Sequence, residues 1–345
     1  MKNRYSSIDL LRFLAAFSVA ISHLLIHAYG YNLNFEIISS ISVEVFFIIS
    51  GFVLAPQIIS IVQNKKLENY KIFLIRRWYR TIPLYILSLI VTSIILNYTF
   101  TIDFFKYLFF IQNLTYLSVK NDFFSISWSL SVEEWFYIVF PFFLFLFFKI
   151  FAFKQIKYFK YLSYLFILVI LFFRLYFPDN TDWGSNVRRV VIFRLDSIAF
   201  GFILYLFKDI FENIKLSQLK LILLIILTSI LTFNVLKTNA LNQIFIFQFF
   251  FHYVVGIWGS LIVIYCYLID KNLKKTKLTG INLYLGKISY SIYLFHLFLI
   301  YIIASLFNLN LFFSVIIFVF AQIILSTILY YYFEKPILNK RPNYK

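Results

Sequence analysis

Cysteine is nearly absent from this chain. Cys266 is the single one, and it stands in an apolar run without a second thiol, so neither a disulfide framework nor a cysteine metal site is available. Charge is scarce too: only 14% of the residues are Asp, Glu, Lys or Arg, and 15 acidic residues face 32 basic ones. Soluble domains are not built with so little charge, and no stretch is left over for a soluble enzymatic domain at either end. Internal repeats and low-complexity linkers are also missing. A single domain, residues 1–345, is expected.

What fills the chain is apolar. The sequence is 62% hydrophobic and 23% aromatic, and its mean hydropathy is +0.84. Apolar windows long enough to cross a bilayer recur near residues 8–27, 38–62, 82–97, 135–151, 158–177, 190–207, 216–236, 247–269, 283–306 and 311–333. The expected fold is therefore all-α, a polytopic transmembrane bundle of about ten spans. The opening segment carries Arg12 and lacks an A-x-A cleavage pattern, so it is expected to stay as an uncleaved first helix.

The formal charge of +17 invites a nucleic-acid reading, but the basic residues sit in alternate connections. One side of the predicted bundle collects 24 Lys and Arg, the other five: Lys106, Lys120, Arg188, Arg189 and Lys237. That bias predicts both termini in the cytoplasm and a bilayer, not nucleic acid, as the partner. The longest outer loop, about residues 98–134, is too apolar to be free and is expected to fold back onto the membrane.

The first helix, "IDLLRFLAAFSVAISHLLIHAYG", carries charge where an anchor needs none. Arg12 and His23 lie eleven positions apart, so they differ by only about 20° around the axis and are separated by about 16 Å along it. Asp9, Ala16, Val19 and His27 fall near the same line, which predicts a polar stripe along a cavity wall. Glu44, Tyr290, Tyr293, His296, Glu133 and Glu134 are expected in the outer half with His23, and Arg76, Arg77 and Arg80 at the inner mouth with Arg12. Plainer readings stand beside these. The three arginines suit a cytoplasmic loop, the two glutamates suit a helix amino terminus, and Asp196 beside Arg194 suits a buried ion pair.

In chain order, "IDLLRFLAAFSVAISH", "SVEVFFIISGF", "RRWYRTIPLY", "WSLSVEEWFY", "RLDSIAFG", "LGKISYSIYLFH" and "FEKP" resemble the blocks of the membrane-bound acyltransferase 3 family. Leu10 and Phe13 stand where that family's openings often carry glycine. The resemblance implies transfer of an acyl group, commonly acetyl, from cytoplasmic acyl-CoA to a glycan or lipid-linked saccharide at the outer face of the cell inner membrane. It implies His23 as the catalytic residue, Arg12 as its paired arginine, and Arg77 with Arg80 as an R-x-x-R pair.

The charge layout suits that chemistry. Arginines hold phosphates by bidentate hydrogen bonds, and a histidine can take the proton of an attacking hydroxyl; an acyl-histidine intermediate is the alternative. A carboxylate is expected to orient the imidazole, Glu133 first and Glu44 second, with Trp128, Tyr293 and His296 supporting the acceptor. Acyl-CoA, acetyl-CoA in the simplest case, is expected as co-substrate, with no permanently bound cofactor and no metal. The rival reading is a multi-pass transporter or flippase for a polysaccharide precursor, which also needs intramembrane charge but usually shows repeated halves.

Overall fold

Each helix starts and stops where local chemistry dictates. Helix α1, Ser6–Tyr29, ends at Gly30 with φ 82°, a conformation glycine adopts without a Cβ penalty. Helix α2, Leu33–Asn64, opens on Asn32, whose side chain accepts the Asn34 N–H at 2.9 Å, and closes on Lys65 in the left-handed region. Helix α3 is Leu67–Ile95, and the short α4, Ile102–Leu108, is capped by Thr101 accepting the Phe104 N–H at 3.2 Å. Then come α5, Trp128–Ile150; α6, Lys157–Leu175; α7, Leu195–Asn213; α8, Phe245–Asn272; α9, Lys277–Leu306; and α10, Leu311–Ile328. A π-helical turn, Leu329–Glu334, leads from α10 into α11, Lys335–Asn339.

The computed structural model describes residues 5–176, 183–213, 222, 224–226, 228–229, 245–272, 277–306 and 311–344. Among them eight helices are long and apolar enough to cross a membrane, and they coincide with eight of the ten predicted spans. The predicted span 190–207 forms α7, whose Asp196, Lys208, Asp209 and Glu212 make it too charged to join those eight. The predicted span 216–236 lies almost wholly outside the described residues.

Two boundaries change the reading of the motifs. Arg76, Arg77 and Arg80 are not in a loop before the third span; they lie within α3, which starts at Leu67. A hydropathy window registers only the apolar part of a helix, so it misses a turn that continues past it. Likewise α5 begins at Trp128, so Glu133 and Glu134 sit a turn and a half inside it and do not cap it.

The bundle has two chemically different ends. At one, the Ser7 N–H donates to Asp270 of α8 at 2.8 Å, and Arg76 of α3 donates to the carbonyl of Pro342. At the other, His23 lies near the connection that follows α4. That connection is pinned by the Val191 N–H donating to the Asn113 carbonyl at 2.9 Å and by the Lys120 N–H donating to Asp103 at 3.1 Å. These bonds hold the loop against α4 and the segment before α7.

Helix α2 is the spine, packed by α1, α5, α7 and α8. Its crossing with α7 is backbone on backbone: a Cβ on Gly51 would fall 1.9 Å from the Ile198 carbonyl oxygen, and one on Gly201 would fall 2.0 Å from that of Ile48. Small residues permit such an approach where dispersion, not water exclusion, holds helices together. Gly201→Val should therefore abolish monodisperse folded protein in detergent size exclusion. Gly256→Ala, where an added Cβ meets only the Phe200 ring at 3.7 Å, should behave as the parent does.

Candidate active site

Helices α1, α2, α3, α5 and α9 line a pocket with a cavity volume of about 80 Å³. Arg12, Arg77 and Arg80 form its charged end, Ser50 and Glu133 its middle, and Val43, Phe46 and Tyr293 its far end. Within α3, Arg77 and Arg80 are three apart and so share a face, which turns them to the same cavity. Glu133 is held in the wall: its Oε1 accepts from Ser50 at 2.5 Å and from Tyr137 at 2.7 Å. Its neighbour Glu134 accepts from Thr81 at 2.5 Å, and the Thr81 carbonyl accepts the Tyr290 hydroxyl at 2.7 Å.

The arginines divide sharply by partner. Arg12 pairs with Asp9 at 2.8 Å, Arg174 with Asp196 at 2.7 Å, Arg188 with Glu36 at 2.6 Å, and Arg189 with Asp122 at 2.9 Å; Arg194 pairs with Glu44. Among the described residues, Arg76, Arg77, Arg80 and Arg341 have no carboxylate within salt-bridge distance. Arg77 and Arg80 line the pocket's charged end, where Arg77 donates to Gln57 at 3.1 Å, and Arg341 lies in electrostatic range of Arg76 and Arg80. Guanidiniums that converge on a cavity without a salt-bridged carboxylate suit an anionic ligand.

His23 stands just beyond the far end of the pocket. Its Nδ1 lies 2.7 Å from Nε2 of His296, with the rings stacked at 5.0 Å, and its Nε2 lies 3.5 Å from the Ser39 hydroxyl. His296 is fully buried, and its Nδ1 lies 2.7 Å from the Tyr293 carbonyl. A carbonyl only accepts, so His296 carries its proton on Nδ1 and, as a neutral ring, presents a lone pair at Nε2. His23 must then donate from Nδ1, which leaves its Nε2 as an unprotonated base facing Ser39.

Several expectations are redrawn by this geometry. Neither Glu133 nor Glu44 touches His23; the orienting partner is His296. Glu44 is buried in an ion pair with Arg194 and lies 3.3 Å from Nδ1 of His252. Arg194, just before α7, therefore takes Glu44 of α2, and Asp196, in the first turn of α7, takes Arg174 of α6. Trp128 is buried edge-on to Phe47 with the Arg188 guanidinium 5.5 Å over its ring, so its face is already occupied. The Tyr293 hydroxyl is engaged with Ser129 at 2.7 Å, while its ring closes the pocket against Phe46. The stripe between Arg12 and His23 is not wet: Ala16 and Val19 are buried under α9 and α2, and α9 comes so close that a Cβ on Gly286 would meet Asp9.

Further charged residues surround the site without a local signal in the sequence. Arg188 and Arg189 were legible only as two cations on the cation-poor side, an anomaly that their carboxylate partners explain. Burial, with Arg189 beside it, brings the Arg188 guanidinium down to about 10. Glu334, the glutamate of "FEKP", accepts from Ser291 and so ties the turn after α10 to the α9 face that carries Ser289 and Tyr290 into the pocket.

A family model described as an acyltransferase domain matches residues 5–332. The chain belongs to the acyltransferase 3 family. It is a membrane acyltransferase, and the matched stretch contains every residue that lines the pocket, together with His23 and His296. Neither the curated proteins nor the solved structures hold a match to it.

The acyltransferase should respond differently to Glu44 and to the histidines. Glu44→Gln leaves the Arg194 cation buried against a neutral partner, at a cost of about 3–5 kcal/mol. The melting temperature in detergent should fall, while turnover per folded molecule stays near that of the parent. Lost turnover at an unchanged melting temperature would instead put Glu44 in the chemistry.

Proposed function

We propose that this membrane acyltransferase moves an acyl group, acetyl in the simplest case, from acyl-CoA bound at the arginine end to a hydroxyl of a glycan or lipid-linked saccharide arriving at the histidine end. The observation that carries the reading is the pocket itself. One end gathers the uncompensated arginines, and the other stops at Val43 and Tyr293, each about one helical turn from the residues around His23. In this reading the arginine end, the basic side of the bundle, faces the cytoplasm with both termini, and the enzyme resides in the cell inner membrane.

The phosphates of the donor engage Arg77 and Arg80, and Arg12, held by Asp9, lies further along the path. The flexible arm then runs up the pocket and passes between the Phe46 and Tyr293 rings, whose centroids are 5.9 Å apart. A hydroxyl is a poor nucleophile at neutral pH. His23 Nε2 takes its proton as the oxygen attacks the thioester carbonyl; the carbon–sulfur bond breaks, and the imidazolium returns the proton to the departing thiolate. His296 stabilises that imidazolium by accepting from its Nδ1, a role it can fill because its own proton is committed to a backbone carbonyl. Glu133, bonded to Ser50 and Tyr137 in the pocket wall, serves the donor path, not the base. No broken-helix repeat of the kind transporters use is evident in this arrangement of motifs.

Radiolabelled acetyl-CoA supplied to one side of sealed vesicles should label a saccharide acceptor. His23→Ala should abolish labelling with insertion intact, and His296→Ala should lower it by about 10²-fold, within the range of a lost acid–base contribution. Arg77→Ala should weaken donor saturation with little change in acceptor saturation. Substantial turnover by His23→Ala, or uptake of saccharide without labelling, would defeat the reading.

A further inference from the structure

The segment that follows α11 folds back over the arginine end of the pocket. Arg76 donates to the Pro342 carbonyl, and its guanidinium lies 4.8 Å from the Tyr344 ring centroid. The Tyr344 hydroxyl donates to Gln57 at 3.4 Å, the same amide oxygen that accepts from Arg77. Arg341 joins this group: its pKa is lowered by burial and then by the charges of Arg76 and Arg80 beside it. An aromatic ring still 39% exposed is thus held among guanidiniums at the mouth of the pocket.

That combination is unusual for a cytoplasmic extension whose basic residues need only face water. Here like charges are brought together, which costs free energy unless an anion neutralises them. A tyrosine with one face on Arg76 leaves the other face for a flat π-system, and a ring so placed stacks on a nucleobase. Phosphate alone would explain the arginines but not the ring.

We propose that Tyr344, Arg341 and Arg76 form a nucleotide subsite, with the adenine of the acyl-CoA head stacked on Tyr344 and its 3′-phosphate held by Arg341 and Arg76. The inference rests on the acyl-CoA reading above and extends it to Arg341 and Tyr344, which lie beyond the matched domain stretch. The pyrophosphate then falls to Arg77 and Arg80, so four guanidiniums meet a head group carrying about four negative charges at neutral pH.

Binding of free coenzyme A, dephospho-coenzyme A and adenosine 3′,5′-bisphosphate to the purified full chain in nanodiscs tests this. The parent should prefer coenzyme A over the dephospho form. Tyr344→Ala should weaken coenzyme A and the bisphosphate about tenfold, Tyr344→Phe should bind as the parent does, and Arg341→Ala should erase the preference for the 3′-phosphate. Unchanged binding by Tyr344→Ala, tighter binding by it, or equal displacement of coenzyme A by phosphatidylglycerol would overturn the subsite; the last would make it a lipid headgroup site. If the parent binds neither coenzyme A nor the bisphosphate, the donor reading fails as well. If it binds both and the variants do not differ, only the subsite falls.

Discussion

A guanidinium taken out of water must find a counter-charge, and most of this architecture follows from how that demand is met. Arg174 and Arg194 are among the largest fully buried side chains, and each has its own carboxylate from another element or turn. Arg188 and Arg189 are satisfied by Glu36 and Asp122, which binds the segment 183–194 to the start of α2 and to the loop after α4. Among the described residues, Arg76, Arg77, Arg80 and Arg341 lack a carboxylate at salt-bridge distance, and two of them, Arg77 and Arg80, line the pocket.

Helix α2 carries both kinds of chemistry on one rod. Glu44 faces α7 and α8 and holds the buried ion pair, whereas Ser39, Val43, Phe46 and Ser50 face the histidines and the pocket. The glycine crossing with α7 fixes the rotation of that rod, because no other residue fits between Gly51 and Ile198. A structural contact with no polar atom in a side chain therefore decides where the polar face of α2 points.

Much of this was legible in the sequence. Periodicity in α1 puts Asp9, Arg12 and His23 along one line, and the order of seven motifs carries the resemblance to the family. The limits were physical. A hydropathy window registers apolar length only, so the helical continuation through "RRWYR" and the early start of α5 at Trp128 escaped it. Helical angle tells which residues share a face but not what covers that face, so the stripe from Arg12 to His23 was expected to be wet although α9 seals its middle. Several partners are chosen far along the chain, 150 residues away for Arg194 and Glu44 and 273 for His23 and His296, and nothing local in the chain encodes that His296, not Glu133, reaches His23.

Tyr293 joins two tasks in one residue. Its side chain closes the far end of the pocket, and its main-chain oxygen sets the proton arrangement of the histidine couple. In the proposed reaction, an arm that pushes the ring aside loads the same helical turn that sets the orientation of the imidazole. Arrival of the donor and alignment of the histidine couple are then mechanically linked through one residue.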